Sequence, residues 1–301
     1  MVKSGASQPT PIERLQKMNQ PSIDLYTSRG RDIHTEPLEV AVCSQHNNGG
    51  FKVGRWWEST VKHLFFIGEL AGTHGVKRPG GSALNSGQVG ALRAAEYIAC
   101  HYYDGVPSED TFSSLAEGQV RSVVERVEKF LRQGESSSLD LDTVKKDIQH
   151  RMTGHAAHIR RPNGVREAVA EATALRKRIE EEGLKLSDRK DFLKAWQLYE
   201  MALTSEAYLS AIQAMIERGG GSRGSHLVVD EKDGIQPHPM LGSEWNFMTE
   251  NTELRSEILE VKWDAGRGEF ATSTAPTEPI PEEKAWFENT WEAYRSGKIY
   301  E

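Results

Sequence analysis

Between Lys62 and Ile98 the chain passes from a short apolar stretch, through a segment where glycine recurs, into an amphipathic run. The apolar stretch is Lys62-His63-Leu64-Phe65-Phe66-Ile67. The glycines are Gly68, Gly72, Gly75, Gly80 and Gly81, and the helical run starts near Ser82. Strand, glycine loop, helix is the order of a cofactor-binding turn in α/β proteins. It predicts a buried strand over 62–67 with Glu69 just past its end. An acid there accepts hydrogen bonds from sugar or sugar-alcohol hydroxyls. Glycines let backbone N–H groups approach a flat ligand closely. A helix start offers unpaired N–H donors and partial positive charge.

The flanks fit this reading. Leu38-Glu39-Val40-Ala41-Val42-Cys43 alternates as a strand does and stops at the turn signal Asn47-Asn48-Gly49-Gly50. From Ser108 to Arg218 the texture is helical: about 108–133, from about 140, 164–182 and 187–218, the last ended by Gly219-Gly220-Gly221. Strands at 258–263 and 269–272 are expected to pair around Ala265-Gly266-Arg267-Gly268. Pro276, Pro279 and Pro281 then lead to a short final helix. The expected fold is α/β plus α: the C-terminal part of a Rossmann-like domain followed by a helical bundle domain. Residues 36–105 form the first, 106–256 the second and 257–301 a tail with short strands.

Charge narrows the partners. The formal net charge of −7 argues against nucleic acid, whose phosphates require a basic face. No apolar run approaches the roughly 20 residues of a membrane span. The N-terminus lacks the apolar segment of a secretory signal. Two cysteines, Cys43 and Cys100, cannot build a disulfide framework, which points to the reducing cytoplasm.

Three segments carry a resemblance: His46-Asn47-Asn48-Gly49-Gly50, Leu64-Phe65-Phe66-Ile67-Gly68-Glu69, and His74-Gly75-Val76-Lys77-Arg78-Pro79-Gly80-Gly81-Ser82-Ala83-Leu84. In order and spacing they resemble the fumarate reductase, succinate dehydrogenase and L-aspartate oxidase flavoproteins. That family shows His-x-x-Met-Gly-Gly, Leu-Tyr-Ala-Ala-Gly-Glu and His-Gly-Ala-Asn-Arg-Leu-Gly-Gly-Asn-Ser-Leu. Ser222-Arg223-Gly224-Ser225-His226 is similar to a later Ser-Arg-Gly-Ala-His.

The resemblance implies a FAD-dependent oxidoreductase that passes a hydride between flavin N5 and a small carboxylate-type substrate. It implies cofactor contacts at Gly49, Gly50, Glu69, Gly80, Gly81, Ser82, Ala83 and Leu84. It implies a carboxylate clamp at His46 and Arg78. Asn48, Pro79 and Ser82-Ala83 depart from the pattern: Ala83 keeps its backbone donor, while Asn48 and Pro79 mean that a dicarboxylate is not asserted. Residues 1–35 correspond to the end of a capping segment. Arg29 and Arg31 lie there, but no motif marks either as the proton donor. No Gly-x-Gly-x-x-Gly follows a strand near the N-terminus. The chain is therefore expected to need an N-terminal flavoprotein half or a partner subunit, and to hold FAD only weakly by itself. The alternative reading is a non-catalytic subunit or fragment of a split flavoprotein.

Other residues have plainer readings. Cys43, three residues before His46, is expected to be a buried strand cysteine. No metal site is expected at His150, His155 and His158, which lack acidic or cysteine partners at ligand spacing. Trp196, Tyr199 and Tyr208 read as core packing, Glu180-Glu181-Glu182 as a solvated helix end, and Arg223 to His226 as a loop-ordering segment.

Overall fold

The computed structural model describes residues 8–39, 49–75, 78, 80–102, 105–279, 282 and 285–300. Most of the strand expected over 38–43, with Cys43 and His46, lies outside them. The chain divides into two compact units, Met1–Gln45 and His46–Glu301.

The first unit carries a helix, α1 (Pro11–Ser28), that the sequence reading did not anticipate. Its start is well specified. The Thr10 side chain accepts from the Glu13 N–H, the Glu13 carboxylate accepts from the Thr10 N–H, and Pro11 holds the first helical position. The helix kinks at Asn19, two residues before Pro21, whose ring excludes the regular backbone hydrogen bond. Arg29 follows as its C-terminal cap, and Arg31 pairs with Glu36 at 3.2 Å.

The second unit is mainly helical. It contains α2 (Ser82–His101), α3 (Glu109–Gly134), α4 (Leu141–Arg151), α5 (Pro162–Glu182), α6 (Phe192–Glu217) and α7 (Trp286–Arg295). Ser108 and Asp140 cap α3 and α4 by accepting N–H bonds from Thr111 and Thr143. A π-helical turn, Met152–Ala156, leads from α4 to β1 (Ile159–Arg160). This pairs in parallel with β2 (Leu227–Val228), and β3 (Glu257–Asp264) pairs antiparallel with β4 (Glu269–Pro276).

The core sits between α3, α4, α5 and α6. Phe130, Val144, Ile148, Ile179, Leu184 and Leu198 are buried there, with Trp196 and Tyr199 packed against them. Small residues are buried on both helices where α5 and α6 pack. Ala168 and Ala172 are buried on α5, Ala195 and Ala202 on α6, which lets the backbones approach.

One buried charge network was not anticipated. Arg176 and Glu206 are each 2% exposed in their side chains, and Arg176 Nε donates to Glu206 Oε2 at 2.6 Å. The same guanidinium donates to Gly268 O at 2.9 Å and lies 4.7 Å from the centre of the Trp263 ring. It thereby holds the β3–β4 hairpin on α5 and α6. Glu180 is not merely a solvated helix-end acid: it accepts from Arg176 at 2.9 Å and from the Tyr199 hydroxyl at 3.1 Å.

The strand expected over 62–67 is absent. This stretch contains a turn with His63 at φ 66°, and only Phe65 makes a bridge, to Glu58. Glu69 accordingly lies not past a strand but within a 3-10 turn, Gly68–Ala71. A buried parallel strand needs neighbours, and among the described residues no strand lies beside this one.

Candidate functional site

Three glycine-bearing segments meet at the head of α2. A Cβ on Gly50 would fall 2.3 Å from both Gly72 N and Leu70 O, so the two backbones touch where no side chain fits. The Phe51 N–H donates to Leu70 O at 2.8 Å and locks this approach. Gly72 has φ 70°, a conformation that favours glycine. On the other side, the Thr73 and Ser86 hydroxyls share a hydrogen bond of 2.8 Å. The arrangement brings together Gly49-Gly50, Gly68 to Thr73 and the first turn of α2.

Gly81, at φ 81°, ends the loop and starts α2 without a side-chain cap. The first N–H groups of a helix have no partner within the helix itself. Ser82 and Ala83 are half-buried there, and Leu84 is 75% exposed. A helix start beside close-packed backbone suits a flat, anionic group. Arg78 Nη1 donates to Gly75 O at 2.5 Å, which ties its guanidinium to the loop. Gly80 belongs to the turn before Gly81. His46 lies outside the described residues, so its distance from Arg78 is not defined.

Behind the loops stands an aromatic wall that the sequence reading passed over. Trp57 has φ 65°, rare for a bulky side chain. Its indole occupies the space a Cβ on Gly90 would take, at 2.6 Å. Trp56 stacks on Tyr97 with ring centres 5.4 Å apart, and Arg93 lies 4.6 Å from the Trp56 ring centre. The Glu58 carboxylate accepts from the Tyr102 hydroxyl at 2.5 Å and from the His63 N–H at 3.0 Å. The Tyr102 bond and then the His63 bond hold Glu58 below the usual carboxylate range, and Glu58 pushes Tyr102 up to about 12. The visible signal was the Trp-Trp pair beside a turn.

Further along the chain, Arg160 donates through Nε to the carbonyls of Ala156 and Ala157 at the end of the π-helical turn. Burial, and then the nearby Arg160, lowers His226 to about 4. Arg223 and His226 bond each other's backbone, and Arg223 pairs with Glu250 at 3.2 Å, so this segment orders its own loop. His158 bonds Ser225 O at 3.2 Å, while the His155 ring packs against Gly164.

Over 225 residues the chain is 28% identical to a polypeptide of the fumarate reductase (CoM/CoB) of Methanothermobacter marburgensis, covering 72% of this chain and 37% of that protein. It is 27% identical over 233 residues to the fumarate reductase flavoprotein subunit of Haemophilus influenzae, covering 75% and 37%. With L-aspartate oxidase of Bacillus subtilis it shares 42% identity over 71 residues, 23% of this chain and 13% of that one. This chain is similar to the C-terminal portion of these flavoproteins. No protein-family model matches it.

The fold agrees. The E. coli quinol fumarate reductase FrdA superposes with a TM-score of 0.70 at 18% identity, covering 92% of this chain and 45% of that one. A quinol-fumarate reductase chain solved with menaquinol molecules gives 0.69 at 17%, covering 93% and 48%. The chain thus spans 37% of the length of the two fumarate reductase relatives. Among the described residues, no helix is long and apolar enough to cross a membrane.

Proposed function

We propose that this chain supplies the flavin-facing end of a FAD-dependent oxidoreductase of the fumarate reductase type, acting on a small carboxylate-type substrate. The observation that carries the reading is the meeting of Gly49-Gly50, Gly68 to Thr73 and the start of α2, in the order in which the flavoprotein motifs run. Glycine backbones packed at Gly50 and Gly72, beside the start of a long helix, fit the flavin end of FAD. Gly49, Gly50, Glu69, Gly80, Gly81, Ser82, Ala83 and Leu84 would hold it.

When bound, the flavin supplies hydride exchange with a substrate carbon. The chain's own residues bind and orient. Arg78 would take the substrate carboxylate in a bidentate fork, with His46 as second donor. The Gly75 carbonyl restrains the guanidinium so that little freedom is lost on binding. The FAD pyrophosphate and adenine are assigned to the remaining portion of the flavoprotein, on the same polypeptide or a partner. Two cysteines in the whole chain support a reducing, cytoplasmic setting.

The test joins this chain with a flavoprotein portion that carries a dinucleotide-binding fingerprint. Flavin absorbance should survive desalting in the joined protein and fade from the chain alone. Arg78→Ala should then lower turnover on the accepted carboxylate by about 10²-fold with flavin retained. Unchanged turnover would remove Arg78 from the clamp, and failure of the joined protein to keep flavin would remove the cofactor assignment.

A further inference from the structure

Gly87 and Gly90, three residues apart on α2, share one face of the helix. Each takes in part of the stretch that leads to Glu69. A Cβ on Gly87 would lie 3.5 Å from the Gly68 Cα, so the Gly68 backbone rests in contact there. Gly90 takes the Trp57 indole, whose Cε2 and Nε1 stand 2.6 Å from where a Cβ would be. Trp57 is in turn tied to the residues before Gly68. Its carbonyl accepts from the Phe66 N–H at 3.2 Å. Beyond it, Glu58 bridges to Phe65, and the Ser59 N–H donates to Leu64 O at 2.8 Å. Gly68 follows closely after Phe66, and Glu69 sits inside the 3-10 turn that Gly68 begins.

Seating Trp57 on Gly90 is costly in two ways. Its backbone is left-handed, at φ 65°, which a bulky residue avoids. Its indole N–H is buried and meets no acceptor among the described residues. Strain and an unmet donor persist where the surroundings impose them, and they gather where a site has to be held in one geometry. An indole is a rigid plate with little rotational freedom, so it sets a spacing firmly.

We propose that Trp57, seated on Gly90, is a positioning residue for Glu69. It sets where that carboxylate stands relative to the head of α2, and so how well the chain holds the sugar-alcohol hydroxyls of a flavin. The inference rests on the proposed flavin site and adds to it a residue outside the motifs.

A cycle of FAD affinities in the joined protein, read by flavin fluorescence, tests it. Gly90→Ala puts a methyl group into the indole's seat and should weaken FAD binding about tenfold. Glu69→Gln should weaken it by a similar factor. The two together should be little worse than Glu69→Gln alone, because both remove the same contact. A role in stability alone would make the two losses multiply. Trp57→Phe trims the edge that the methyl group would meet, so adding it to Gly90→Ala should bring FAD affinity back to within about threefold of the parent. If circular dichroism shows Gly90→Ala unfolded, Trp57→Phe takes its place in the cycle, with an expected loss of about threefold. Multiplying losses, unchanged affinity in Gly90→Ala, or no recovery on adding Trp57→Phe overturns the role of Trp57 and leaves the flavin site standing. Unchanged affinity in Glu69→Gln removes the contact that Trp57 is said to position, and the proposal with it. A joined protein that binds no FAD removes the flavin site itself.

Discussion

The helical body from α3 to β4 and the loop region from Gly49 to Tyr102 are built by different means. In the body, buried aliphatic side chains from four helices interlock, and one fully buried ion pair ties the hairpin to them. In the loop region, the residues buried in the described stretch are Ala71, Gly90 and Ala94. Phe51, Leu64, Ile67, Leu70, Leu84, Val89 and Leu92 stay exposed around them. There the contacts are backbone on backbone at Gly50 and Gly72, and ring on ring at Trp56 and Tyr97. The body thus holds most of the stability, while the loop region leaves much of its apolar surface exposed.

The sharpest way to break this contrast is Arg176→Met. It leaves Glu206 buried without its cation, and denaturant titration should show a loss of about 3–5 kcal/mol. Pairing it with Glu206→Leu should restore much of that, because the uncompensated charge is removed. Next is Gly50→Ala, whose methyl group meets the Gly72 and Leu70 backbone. A strain of about 1–3 kcal/mol should fall on the loops. Flavin retention in the joined protein should then drop by about tenfold or more, while the melting of the body barely moves. An equal fall in both would erase the division.

Acid reports on the body through His226. His226 is held near 4 when folded, against about 6.5 when unfolded, so the unfolded chain takes up the proton first. Stability is therefore full above about pH 6.5 and declines as the pH falls toward 4, by about 1–2 kcal/mol for this partly exposed group. The decline should shrink in His226→Asn. The smallest effect is expected for Asp140→Ala, which removes the cap of α4 and about 1 kcal/mol. It should shift the melting point by a few degrees and leave ligand binding alone.

The body was the legible region. Its periodic apolar residues, the caps at Ser108 and Asp140, and Gly183 after α5 mark helices by local chemistry, and the structure has them close to where they were expected. The β3–β4 hairpin was equally readable from two apolar runs around Ala265 to Gly268. Local chemistry misled over 62–67, because a parallel strand is completed by neighbours that a short run does not encode. In α1 the Thr10 to Glu13 capping signature was present, but the few apolar residues and Pro21 masked it. Arg176 was detectable in principle: it falls in register with buried Ala172 and Ile179, where a charge must be matched. Its partner Glu206, on another helix, has no signature in the sequence. In the candidate site, the motifs pointed to the glycines and Arg78, whose ligand roles are proposals, and passed over the paired tryptophans at the turn.

The parallel pairing of Ile159 with Leu227 joins the entry of α5 to the exit of α6. Two helices that meet end to end in sequence zip together early, because their contacts are local. The two-residue ladder links positions far apart along the chain, so it can close only after that zipper has drawn them together. It is a latch on a loop already folded, and with Val228 buried against Val165 and Ile216 it seals the far end of the helix pair.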